Sequence, residues 1–319
     1  MRVKYIVIIS LVMMYLMLIN SKNVFSQTES WIEPWQKSTI SFGIKESISI
    51  NLSNNKTVKK DIFNIKGTGA IFYVKVDTIV IPTIVTAKHV FYNPKENWSP
   101  DSLRIRFSWF EDKPVDEYFG ISIILNNNVK RAWFPHPDST VDLACISLDF
   151  IQGDIGVEKL PILPYSQFAN DDDIYQGAQI FVLGYPGSVG MEFWNKAVLR
   201  EGIISWVAPN EPQKHRILID CSIFPGNSGG PVFKIPSGID KFGNLSVGGK
   251  YKFLGIVSER RFSPTPIKET RHHRDIVDDT GSYLYSLESI GIGVIEPALR
   301  VRELLNEFKN CIRDEINQR

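Results

Sequence analysis

Cysteine is scarce in this chain of 319 residues: Cys145, Cys221 and Cys311 are the only three. That excludes a disulfide-stapled miniature domain and a four-cysteine zinc module. A charge excess is missing too. Lys+Arg total 36 against 35 for Asp+Glu, a formal net charge of +1, so the molecule as a whole has no electrostatic reason to seek nucleic acid or an anionic membrane. No apolar run reaches the roughly 18 residues of a transmembrane helix, and no repeat of solenoid length is present. Alternating βα units with glycine-rich first turns are absent as well, which argues against a doubly wound nucleotide binder. What the chain does have is 43% hydrophobic residues, with aromatic residues 12% of the whole chain, ordinary for a folded globular protein and too high for a disordered one.

The N-terminus stands apart. Arg2 and Lys4 precede an apolar stretch from Tyr5 to Ile19, and Val24 and Ser26 then offer compact residues ahead of Gln27. This is the pattern of a secretory signal peptide over residues 1–26. The competing reading is an uncleaved anchor, but a helix of that length spans only about 22 Å against a hydrocarbon core of about 30 Å. The expectation is therefore export to the periplasm or the outside, with no stable membrane insertion after cleavage. Removing residues 1–26 leaves 33 basic and 35 acidic residues. An odd cysteine number in an exported protein leaves at least one thiol unpaired.

Residues 27–62 form an N-terminal extension with no functional assignment, Trp31 and Trp35 included. From residue 63 onward, short apolar or alternating runs are bounded by Gly, Pro, Asn and Asp. Ala70–Val76, Ile79–Val85, Leu103–Trp109, Ile121–Leu125, Leu143–Leu148, Gln179–Gly184, Gly202–Val207, Ile217–Cys221, Pro231–Phe233 and Phe253–Ser258 each read as a strand. Many short antiparallel strands mean an all-β barrel or sandwich. One helix is expected, over 297–319, where Val301, Leu304, Leu305, Phe308, Ile312 and Ile316 form a stripe at helical spacing behind Pro297. The polar stretch 259–288 reads as a long exposed loop; its His272 and His273, like Asp171-Asp172-Asp173, lack the spacing of a metal site and are expected to be solvated.

Three segments carry chemistry. In Pro225-Gly226-Asn227-Ser228-Gly229-Gly230-Pro231, glycines around a serine permit a turn that exposes the hydroxyl and aims backbone N–H groups at one point. A serine hydroxyl needs a base, and the base needs an orienting acid. Thr86-Ala87-Lys88-His89 places a histidine just after an apolar strand, and Asp142-Leu143-Ala144 an aspartate at the start of another. The serine segment also fits the G-x-S-x-G elbow of α/β-hydrolases, but that elbow needs a helix directly after its serine, and Pro231-Val232-Phe233 reads as a strand.

Taken together, His89, Asp142 and Ser228, in that order and 53 and 86 residues apart, resemble the trypsin/chymotrypsin-like serine proteases. Thr86-Ala87-Lys88-His89 is similar to that family's T-A-x-H element, Asp142-Leu143-Ala144 to its D-[LI]-A element, and the serine segment to its G-[DN]-S-G-G-P element. Gly67-Thr68-Gly69-Ala70, Phe181–Pro186, Gly202–Ser205 and Gly255–Ser258 resemble further strands, so the likeness runs over about residues 63–310. It implies two six-stranded antiparallel β-barrels, 63–165 and 166–296, followed by the C-terminal helix. It further implies a serine endopeptidase acting on protein or peptide substrates without metal or organic cofactor. His89 would be the base, Asp142 the orienting acid, Ser228 the nucleophile, and the N–H groups of Gly226 and Ser228 the oxyanion hole. Carrying the pocket over by offset puts Ser222 at its base, Ile223 on its wall and Arg260 near its mouth, with Ser258 and its neighbours pairing with extended substrate.

The departures are informative. Asn227 stands where digestive members carry the aspartate that pairs with a newly cut N-terminus, so activation by that ion pair is not expected. Three cysteines cannot form the family's usual disulfides. The serine segment and Gly291-Ile292-Gly293-Val294-Ile295-Glu296-Pro297 look more like bacterial HtrA-type proteases, but with the sequence ending at Arg319 no PDZ domain is expected. The rival class is a non-catalytic protein-binding member of the same fold; the oligomeric state is open.

Overall fold

The computed structural model describes residues 31–51, 57–107, 121–126, 131–148, 162–187, 196–207, 217–266, 268–269, 274–275 and 285–318. The chain divides into two compact units, Met1–Pro34 and Trp35–Arg319. Of the first, only residues 31–34 are described, a turn and the opening of the short helix α1 (Glu33–Lys37). The signal peptide read over residues 1–26 lies outside the described residues.

The second unit is mostly β and has two halves. In the N-terminal half, β1 (Thr39–Asn51), β2 (Thr57–Val76), β3 (Ile79–Thr86), β4 (Ser102–Phe107), β5 (Ile121–Ile124), β6 (Phe134–Pro135) and β7 (Ala144–Ser147) form one antiparallel sheet. Its strand order is β5-β4-β1-β2-β3-β7-β6. The expected six-stranded closed barrel is thus a seven-stranded sheet whose named strands do not close. Its two edges approach each other where Asn126 bridges Arg131 and Ala132 N–H donates to the carbonyl of Leu125 at 2.9 Å. The extra strand is β1, inside the segment set apart as an N-terminal extension. Ile40, Phe42 and Ile44 alternate there with polar residues, and period-2 alternation is what a half-buried strand requires. Ile40 and Phe42 join Ile71, Ile84, Phe91, Leu103, Ile105 and Ile146 in the core of this half.

In the C-terminal half, β8 (Gln179–Gly184), β9 (Val198–Trp206), β10 (Ile217–Asp220), β11 (Pro231–Lys234), β14 (Lys252–Pro266) and β17 (Tyr285–Pro297) close into a six-stranded barrel, in the order β10-β17-β14-β11-β8-β9. Two small hairpins hang from it, β12 (Gly238–Ile239) with β13 (Leu245–Ser246), and β15 (Lys268–Glu269) with β16 (Arg274–Asp275). The inward side chains Ile180, Val182, Ile204, Ile217, Ile219, Val232, Leu254 and Val257 are the apolar members of the runs that read as strands, and Ile295 joins them from β17, which is not among those runs. The stretch 259–288 is not a plain loop: β14 continues to Pro266 and pairs with β17 from Tyr285 onward, an extended ribbon. Its charged composition hid the pairing. His272 and His273 lie outside the described residues.

An aromatic cluster joins the halves. Phe72 of β2 sits edge-on to Phe168 and Phe253, at 5.7 and 5.2 Å between ring centres, and Phe233 lies 6.1 Å from Phe253. Trp35, without a role in the sequence, packs on Phe233 at 4.0 Å. Burying each such ring stabilises the folded state by about 1.5–3 kcal/mol, so this seam is a firm base for residues brought together across it. Helix α3 (Ala298–Asn317) buries Ala298, Val301, Leu304 and Leu305 as its stripe requires, while Ile316 at its far end is 45% exposed. No helix among the described residues is long and apolar enough to cross a membrane.

Candidate active site

His89 sits on α2 (Lys88–Phe91), a single turn directly after β3, and Asp142 lies two residues before β7, which pairs with β3. Adjacent strands therefore deliver the two residues to one place. His89 Nδ1 lies 2.6 Å from Asp142 Oδ2, and the His89 backbone N–H donates to Oδ1 at 3.0 Å. The Lys88 N–H donates to the carbonyl of Asp142 at 3.1 Å, and the Lys88 ammonium donates to the carbonyls of Ser139 and Val141 at 2.9 and 3.1 Å. Lys88, a variable position in the sequence motif, thus ties the loop before Asp142 to the histidine helix. The His89 side chain is 32% exposed and that of Asp142 16%, so the imidazole faces solvent with the carboxylate behind it.

Ser228 comes from the other half, in the connection from β10 to β11. Two successive turns shape it. Asn227 N–H donates to Phe224 O at 3.0 Å around Pro225 and Gly226, whose φ is +94°. Gly230 N–H donates to Asn227 O at 2.9 Å around Ser228 and Gly229, whose φ is +88°. Both have the positive φ at the third position that defines a type II turn and favours glycine. Among the described residues, the N–H groups of Asn227, Gly229 and Gly230 are bonded within the fold, whereas those of Gly226 and Ser228 have no acceptor. Two unpaired N–H groups flanking a serine hydroxyl can hold a developing negative charge.

Thr68 of β2, fully buried, docks this turn onto the half that carries His89. Its N–H donates to Ser228 O at 2.7 Å and its hydroxyl to Gly226 O at 2.6 Å. Its own carbonyl accepts the Thr86 hydroxyl at 2.6 Å, three residues before His89. No hydrogen bond joins Ser228 to His89 in this resting geometry; such contacts commonly tighten only when substrate is bound.

Residues 67–238 match the trypsin-like peptidase domain family, just over half of the chain. The chain belongs to the trypsin-like peptidase family. No curated protein sequence matches it. Among solved structures, two of the Rv3671c protease of M. tuberculosis H37Rv in its inactive form, one a serine-to-alanine mutant, are similar at 16% and 17% identity. Each covers 86% of this chain, and 88% and 91% of its own, with a TM-score of 0.39.

The two buried cysteines, Cys145 and Cys221, are not suited to act as nucleophiles. Burial pushes the Cys145 thiol well above its usual range and the Cys221 thiol up to about 11, so neither supplies a thiolate near neutrality. For His89, burial alone would lower the pKa, but the hydrogen bond and charge of Asp142, with the charges of Glu96 and Glu259, outweigh it and hold the imidazole above the ordinary value of 6.5. Asn227 is 1% exposed, and its Oδ1 has no hydrogen-bond partner among the described residues. A neutral amide tolerates that burial far better than the carboxylate of digestive relatives would without a cationic partner.

The expected substrate contacts are placed unevenly. Ser222 is exposed just upstream of the turns. Ile223 is 2% exposed and belongs to the barrel core, backed against Gly293, where a Cβ would come within 2.7 Å of it. It is therefore a core residue that can only back the expected pocket, not line it. Ser258 is buried, with its hydroxyl donating to Val294 O at 3.3 Å, so only its backbone is free for substrate. Arg260 lies on β14 opposite Gly293. Two functional supports were missed in the sequence, Thr68 and Lys88. Each acts through contacts far along the chain, and only their place inside the G-T-G-A and T-A-x-H elements marked them.

Gly229 gives a direct test of how tightly the turn is docked. A Cβ at this position would overlap Thr68 O and Thr86 Oγ1, at a φ that side chains rarely adopt. Gly229→Ala is expected to destabilise the protein by about 3–5 kcal/mol. Denaturant unfolding checks this; a loss below about 1 kcal/mol would mean that the turn is free to move.

Proposed function

We propose that this chain is an exported serine endopeptidase acting through His89, Asp142 and Ser228. The observation that carries the reading is the 2.6 Å pairing of His89 Nδ1 with Asp142 Oδ2 on the half facing the Ser228 turn. With Nδ1–H held by Asp142, the other ring nitrogen is the basic one. It takes the proton of Ser228 Oγ as that oxygen attacks a peptide carbonyl. The N–H groups of Gly226 and Ser228 hold the oxyanion, a contribution of about 2.7–4 kcal/mol per donor. His89 then protonates the leaving amine, and water, deprotonated by His89, releases the acyl group from Ser228.

Substrate would lie as an added strand along β14. That strand pairs with β11 only as far as Ile256, and Val257 is committed to Gly229 and Gly230. At Ser258 the same edge pairs with no described strand, and backbone pairing there gives affinity without demanding a charged sequence. The pocket expected around Ser222, backed by the buried Ile223, would favour small or medium apolar side chains, and an inward Arg260 acidic ones. The N-terminal half is read as a second barrel completed around β5 and β6. The basic and apolar pattern of residues 1–26 supports export to the periplasm or beyond.

Hydrolysis of a peptide library tests the reading. The expected result is internal cleavage after apolar or acidic residues; preference for Lys or Arg would overturn the pocket. Because the base must be neutral and its pKa is raised, kcat/KM is expected to fall on acidification with a midpoint above 6.5. A midpoint below that value would contradict the assignment of His89.

A further inference from the structure

Glu296 is an acid in an apolar strand. It is the penultimate residue of β17, following Val294 and Ile295, both fully buried, and is itself only 2% exposed. Burying a carboxylate is costly unless it accepts hydrogen bonds. Its Oε1 accepts one from the backbone N–H of Asp142 at 3.2 Å, across 154 residues of sequence.

We propose that Glu296 is a positioning residue that sets the Asp142–His89 pair against the half carrying Ser228. The proposal rests on the reading of Ser228 as nucleophile. Asp142 is held at four points. Three come from its own half: Lys88 N–H on its carbonyl, His89 N–H on Oδ1, and His89 Nδ1 at Oδ2. The fourth, Glu296 on its N–H, is the only one from the C-terminal half among the described residues. Ser258, the neighbouring hydroxyl on β14, is turned to Val294 O instead. The backbone of Glu296 is itself fixed. It pairs with Ile256, and Gly255 at φ +152° lets the two strands approach so closely that a Cβ on Gly255 would overlap Glu296 O. A rigid barrel strand therefore grips the main chain of the residue that orients the base, and small displacements at such a point are expensive in rate.

Glu296→Gln and Glu296→Met separate acceptance from packing, since the two side chains are similar in length and only glutamine keeps an acceptor oxygen. Glu296→Met is expected to lower kcat about 10- to 100-fold with KM within about threefold of wild type, while Glu296→Gln stays within about threefold in both. Phosphonylation of Ser228 by a fluorophosphonate is expected to slow in parallel with kcat. Glu296→Ala is a second acceptor-less variant, and whichever of the two folds decides the matter. Wild-type kcat in a folded acceptor-less variant, a rise in KM at constant kcat, or an equal loss in Glu296→Gln would overturn the proposal. So would failure of both acceptor-less variants to fold, which would assign Glu296 to folding alone. If the wild type itself neither cleaves peptide nor reacts with the probe, the reading of Ser228 fails, and the Glu296 proposal with it.

Discussion

Alanine at position 228 is expected to remove peptide hydrolysis almost completely, lowering kcat by about 10⁶ while leaving the fold intact. The two halves of that expectation have separate causes. The turn is anchored through the backbone of Ser228, whose carbonyl accepts the Thr68 N–H, and through the glycines on either side. The hydroxyl takes no part in that anchoring, so its loss is expected to change stability by no more than about 0.5 kcal/mol. In the proposed chemistry, by contrast, the hydroxyl is the atom that forms the acyl bond. What remains in Ser228→Ala is the pair of N–H groups and the substrate strand, and such remnants leave activity about 10³–10⁴ above water in a well-studied serine protease of another fold. Steady-state kinetics beside a thermal melt tests both halves. A large fall in melting temperature would mean that the hydroxyl serves the fold, and retained hydrolysis would remove Ser228 from the reaction.

Asp142→Asn is expected to cost about 10⁴ in kcat, with KM little changed. The carboxylate accepts from the His89 ring and the His89 backbone at once, which fixes the ring and places its proton on Nδ1. An asparagine can turn its NH₂ toward the ring. The proton then sits on the nitrogen facing Ser228, and the base is lost although every atom keeps its place. The same substitution removes the hydrogen bond and charge that raise the His89 pKa, leaving burial to push it down. Whatever activity survives should therefore fall on acidification at a lower pH than in the wild type. An unchanged acid limb, or a kcat within tenfold of wild type, would show that Asp142 does not govern His89.

Much of the site was legible because its chemistry is local. Gly226 and Gly229 take positive φ in turns that only glycine enters freely, so the need for an exposed serine is written directly around Ser228. His89 and Asp142 were readable because each closes or opens an apolar strand, and β3 and β7 are neighbours. Thr68 and Glu296 were not, since their significance lies wholly in partners 158 and 154 residues away. Strand spacing leaves barrel and sandwich both open, and the closed barrel is implied by the family resemblance; the run at β8 has its observed limits, whereas β17 does not read as a strand. The seven strands of the N-terminal half do not follow from the spacing, because β1 carries the alternation of Ile40 and Phe42 ahead of the first family-like element. The ribbon of β14 and β17 was obscured by charge: a polar composition describes which faces meet water, and says little about whether two backbones pair.

The most direct measurement is the mass of the purified protein after reaction with a fluorophosphonate, with the adduct located by peptide mapping. The account predicts one adduct per chain, on Ser228, lost in Ser228→Ala and greatly slowed in Asp142→Asn. An unmodified wild-type protein, or an adduct on any other residue, would contradict it and favour a protein-binding role for the same fold.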